Sequence, residues 1–183
     1  MDKFSMTGTR RPFRLAAAGA MLLMPLANLT LLGRYRDGVL ERVPDAPPGA
    51  LKAGVGAAWL FGSVLNALGV LVLIFLAGVA GAVVCRWAGA PDGFARHRSA
   101  VGLAVALFMV GKVLVLAVTS LLFGSPASDR IVDQVGAANP SLLLLAVGCA
   151  VAVRRAAELS WQRSALCALA PTAVCAAFCL IPA

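Results

Sequence analysis

The chain has 183 residues, of which 61% are hydrophobic and 13% charged, and its mean hydropathy is +0.90. A soluble domain carries roughly 45–50% apolar and about 25% charged residues, so a water-facing surface over this much apolar mass is excluded and a lipid solvent is required. The net charge of +8 would suggest nucleic acid in a soluble protein, but here Lys and Arg stand mainly in short stretches between apolar runs, where they orient spans and meet anionic headgroups, so no nucleic acid is expected.

A polar, basic stretch opens the chain with Lys3, Arg10, Arg11 and Arg14. The first apolar run follows at residues 15–33 and is long enough to cross a bilayer core. Its flank, Thr9-Arg10-Arg11-Pro12-Phe13, resembles a twin-arginine export signal. The run is long for a signal peptide, lacks a small-x-small cleavage site and precedes further apolar runs, so a retained helix is expected.

Residues 34–54 read as a loop stiffened by Pro44, Pro47 and Pro48. Within it Val39, Leu40 and Val43 share one helical face, which predicts a short interfacial helix. The second run, residues 55–85, exceeds one crossing and implies a tilt or an interfacial start near Trp59. Late in this run Ala77, Gly78, Gly81 and Ala82 form a small-residue face for close helix packing, and Gly62 and Gly69 thin the helix earlier.

Residues 86–100 read as a polar loop built on Gly89-Ala90-Pro91-Asp92-Gly93-Phe94. The one histidine, His97, falls there between Arg96 and Arg98 and reads as interfacial charge. The third run covers residues 101–124. In the loop that follows, Ile131, Val132 and Val135 again share one face. The fourth run begins at residue 141 and continues to about 159 because Arg154 and Arg155 can snorkel. Residues 159–164, with Trp161 and Arg163, read as a tight turn, and the fifth run covers residues 165–183.

The expected fold is therefore all-α: one polytopic membrane bundle of five transmembrane helices at about 15–33, 55–85, 101–124, 141–159 and 165–183. Ten of the sixteen Lys and Arg lie in the N-terminal stretch and in the second and fourth loops. Five lie in the first and third loops and none at the C-terminus, while Lys112 is inside a span. The positive-inside bias predicts a cytoplasmic N-terminus and an outside C-terminus. A bacterial inner membrane is the expected location.

Lys112 is the residue most in need of explanation. A charge at mid-span costs at least about 2.5 kcal/mol on insertion scales, so its default reading is functional. Asn66 and Asn28 stand at compatible depths and could offer amide carbonyls to the ammonium, with Ser63 one turn from Asn66. The predicted ligand-binding set is Lys112, Asn66, Asn28 and Ser63. Its burial would make it a place for an anionic ligand head.

The five cysteines, Cys85, Cys149, Cys167, Cys175 and Cys179, contain no CxxC pair and no histidine at zinc spacing, so they read as small hydrophobes. No metal or cofactor is expected. HExxH, GxSxG, P-loop and paired intramembrane carboxylates are all missing from the sequence, and no catalytic residue is assigned.

Residues 65–181 resemble the Yip family, membrane proteins named for interacting with Ypt/Rab GTPases, in its bacterial form. The resemblance rests on a long Leu/Gly-rich helix followed by Gly89-Ala90-Pro91-Asp92-Gly93-Phe94-Ala95-Arg96, and on two closing helices joined through Arg154-Arg155-Ala156-Ala157-Glu158-Leu159-Ser160-Trp161-Gln162-Arg163. The family's proline in the third helix is replaced by Val110, Gly111 and Lys112, and the long N-terminal region of its eukaryotic members is missing. The resemblance implies five spans, a cytoplasmic N-terminus and an oligomeric scaffold, without catalytic residues. The leading expectation is a non-enzymatic scaffold or accessory subunit in contact with lipid and with another membrane protein or its own copies. A small transporter or channel subunit around Lys112 is the alternative, and an intramembrane enzyme the third.

Overall fold

A computed structural model describes residues 7–123 and 141–179. The predicted face at Ile131, Val132 and Val135 and the last residues of the fifth run lie outside the described residues. Six helices are present among the described residues, with no strand. They are α1 (Thr7–Leu29), α2 (Leu32–Arg42), α3 (Pro48–Trp87), α4 (Phe94–Phe123), α5 (Ser141–Ala157) and α6 (Trp161–Cys179). Four of them, α1, α3, α4 and α6, are long and apolar enough to cross a membrane. This is an integral-membrane architecture. With 17 residues, α5 reaches about 26 Å at 1.5 Å per residue.

The helix boundaries differ from those predicted, for local reasons. The first apolar run breaks at Leu29, where the Thr30 hydroxyl and backbone N–H both bond to the Ala27 carbonyl and close the helix. The predicted loop 34–54 is largely helical. Its first part is α2, and α3 starts at Pro48, a residue whose fixed φ and missing N–H suit the first helical position. The 40 residues of α3 extend about 60 Å, twice a bilayer core. Its first half packs on α2 and the end of α1, its later half on α4, α5 and α6.

The predicted polar loop 86–100 is helical from Phe94 onward, because Gly93, at φ 154°, offers its carbonyl to the N–H groups of Arg96 and His97. His97 is therefore not a loop residue. It is 3% exposed and heads a stripe with Val101 and Val105, both buried, at four-residue spacing. The fourth run stops at Ala157 rather than 159, because Glu158 adopts φ 54° and turns the chain. The tight turn read at 159–164 is shorter too. Ser160 starts α6, its carbonyl accepting from Ser164 N–H and its hydroxyl from Arg163 N–H at 3.5 Å.

Helix α3 is the hub. Its small-residue face meets α4 so closely that a Cβ on Gly81 would lie 2.9 Å from a Val101 methyl carbon, and one on Gly78 would lie 3.0 Å from the Arg98 carbonyl oxygen. Beside this contact on α4, the Phe13 ring of α1 sits where a Cβ on Gly102 would be. Close approach of this kind replaces the hydrophobic drive that lipid cannot supply between helices. The core continues through Leu145, Cys149 and Val153 of α5 and Cys167, Ala168 and Cys175 of α6. Four of the five thiols are buried there.

Candidate functional site

The C-terminal end of α1 carries a polar cluster. Asn28, 2% exposed, donates through its amide to the Ser63 hydroxyl at 3.2 Å and accepts at its carbonyl from the Asn66 amide at 3.0 Å. Ser63 and Asn66 are three residues apart and so share a face of α3. One turn earlier on that face, the Trp59 indole donates to the Pro25 carbonyl at 3.2 Å. These bonds clip α1 to α3 where both are otherwise apolar. Asn28 and Ser63 are buried, while Asn66 remains exposed among Val64, Leu65 and Leu68.

Lys112 stands apart from this cluster. Among the described residues it makes no hydrogen bond to Asn28, Ser63 or Asn66. Its ammonium nitrogen lies 5.6 Å from the centre of the Phe108 ring, one turn back on its own helix. Its neighbour Val113 is the α4 residue that packs with Met24 and Ala27 of α1. Rotation about the helix axis thus gives Val113 the face that meets α1, and Lys112 lies about 100° around from it. The structure brings together three of the four predicted residues and does not join the lysine to their hydrogen bonds.

A second polar region, not singled out from the sequence, lies at the other end of the bundle. The α3–α4 and α5–α6 turns meet there around a groove of about 640 Å³ lined by Gly89, Pro91, Glu158, Ser160, Gln162 and Arg163. Arg163 donates to the Ala88 carbonyl and Arg96 to the Arg155 carbonyl, each at 3.4 Å. The His97 ring hydrogen-bonds to the backbone of Ala156. Arg154 lies over the Trp161 ring, with its guanidinium carbon 4.4 Å from the ring centre. The density of arginines was legible in the sequence; the pairing of the two turns depends on tertiary packing.

No protein-family model matches the chain, and neither the curated proteins nor the solved structures contain a significant match to it.

Proposed function

We propose that this protein is a non-enzymatic scaffold or accessory subunit of a membrane complex, placed in a bacterial inner membrane by five spans with its N-terminus cytoplasmic and its C-terminus outside. The observation that carries the reading is Asn66. It is an exposed amide on an apolar helix, flanked by Val64, Leu65 and Leu68, which are 51%, 67% and 53% exposed. Hydrocarbon offers an amide no hydrogen bonds, and amide side chains hold membrane helices together. A partner helix packed on the side of α3 between Asn66 and Leu65, which stand about 100° apart, gives Asn66 its second contact and covers Leu65.

The basic bias of the sequence supports the orientation. So does the meeting of the two arginine-bearing turns at one end, because residues that touch must lie on one side of the membrane. The likeness of residues 65–181 to the Yip family supports an assembling role rather than a catalytic one.

The test is site-specific photo-crosslinking in membranes. A crosslinker at Leu65 or Leu68 is expected to capture one discrete protein chain, and Asn66→Leu to reduce that product several-fold. The same crosslinker at Leu144 of α5 serves as the comparison. Lipid adducts alone at all three positions, with no effect of Asn66→Leu, would sink the reading.

A further inference from the structure

The outer side of the α5–α6 hairpin carries an open cleft of about 360 Å³ lined by Val151, Arg154, Arg155 and Trp161. Its two ends differ in chemistry. Toward the middle of α5, Leu144 and Val147 are 74% and 61% exposed and lead to Val151 at three- and four-residue steps, an apolar track along one face. At the end of that track stand the two arginines. Stacking on the indole restrains Arg154, so less side-chain freedom is lost when it binds a ligand. The Arg96 guanidinium is bonded to the carbonyl of Arg155 and brings a third positive charge to the same helix end.

No ion pair joins Arg96, Arg154 or Arg155 to a carboxylate among the described residues. The nearest acid in sequence, Glu158, lines the separate groove on the Gly89 side. Two guanidiniums without an acidic partner call for an anion, and their forked donors match phosphate oxygens. The apolar track above them calls for a hydrocarbon chain, and an exposed Trp beside them suits the headgroup level.

We infer that this cleft is a binding site for an anionic phospholipid, with the headgroup phosphate between Arg154 and Arg155 and an acyl chain along Leu144, Val147 and Val151. The site rests on the membrane placement of the chain and not on its scaffold role, so loss of the crosslink at Leu65 would leave it untouched. A net-negative lipid is selected over a zwitterionic one because the phosphate charge is then not offset by a cationic headgroup.

The full chain, purified in gentle detergent, is titrated with phosphatidylglycerol or phosphatidylcholine while bound lipid is counted by native mass spectrometry. Phosphatidylglycerol is expected to bind more tightly. Loss of one arginine, Arg154→Gln or Arg155→Gln, is expected to weaken it about fivefold, and loss of both about thirtyfold. Trp161→Ala should weaken it as well, while Arg86→Gln, an exposed arginine at the same end, should not. Should the double variant fail to fold, as read by gel filtration, the single variants decide. Equal weakening by Arg86→Gln would replace the site with diffuse surface charge. Full competition by millimolar glycerol phosphate would make it a phosphate site without a lipid, and an unchanged preference in the arginine variants would remove it.

Discussion

Asn28 does two jobs with one side chain: its amide nitrogen serves Ser63 and its carbonyl serves Asn66. Removing it leaves two polar groups without partners in apolar surroundings. Each such group costs about 1–3 kcal/mol in a protein interior, although measured membrane hydrogen bonds average only about 0.6 kcal/mol. Asn28→Leu is therefore expected to destabilise the detergent-solubilised protein by roughly 1–3 kcal/mol. Lys112→Met gives up a contact with the ring of Phe108 and an electrostatic interaction with Cys175, and it relieves a charge inside an apolar helix. It is expected to melt at or above the wild-type temperature and to keep the Leu65 crosslink. A thermal melt of the two variants side by side checks both. A Lys112→Met protein that melts normally but loses the crosslink would return the lysine to the functional site. The grouping of the asparagines could be read from depth along the helices. The separation of Lys112 could not, because it depends on the rotation of α4, and a helix that is apolar on every side announces no preferred face.

At the scale of the helices, the α2–α3 hairpin is the element the sequence rendered least well. Its polar residues and three prolines read as loop, although the shared face of Val39, Leu40 and Val43 was visible. What the sequence could not supply is where that face docks. A Cβ on Gly54 would lie 3.3 Å from a Val39 methyl carbon, and the Tyr35 phenol packs against Gly62, where a Cβ would fall 2.6 Å from the phenol oxygen. Burial there raises the Tyr35 pKa above its ordinary value of 10.0, because a low-dielectric site disfavours the phenolate. The folded-state value exceeds the unfolded one, so the stability gained is complete below pH 10 and is lost as the pH rises through the raised value. Tyr35 is the sole tyrosine of the chain, so an ultraviolet titration reports this one contact. Its midpoint is expected above 10.0, and Gly62→Leu, which evicts the phenol, should bring it back toward that value. A wild-type midpoint at or below the ordinary value would mean that α2 does not dock on α3.

For the whole molecule, the apolar runs identified the long helices, and their lengths alone implied membrane crossing. The order in which the helices touch was not legible. Glycines in α3 and α4 decide that α1 and α3 both pack on α4, through contacts at Gly102 and Gly81 that no pattern within one helix reveals. One consequence of the packing can be tested without a partner or a ligand. Arg163 reaches the Ala88 carbonyl and Arg96 the Arg155 carbonyl, so the turn carrying Asp92 and the turn carrying Ser160 must share a side of the membrane. The connection carrying Asp45 lies across α3 from them, because α3 runs from Pro48 to Trp87 and is more than long enough to span. Single cysteines at Asp92, Ser160 and Asp45 are to be introduced with the five native cysteines replaced by alanine or serine. A membrane-impermeant maleimide added to sealed cells is expected to label Asp45→Cys alone. The other two should react only after the membrane is opened, which puts the arginine-rich end inside, as the basic bias predicts. Labelling of Asp92→Cys and Ser160→Cys in sealed cells, with Asp45→Cys protected, would invert the orientation and keep the fold. Labelling that separates Asp92→Cys from Ser160→Cys would break the packing of the two hairpins, and with it the shared arginine end on which the lipid cleft is built.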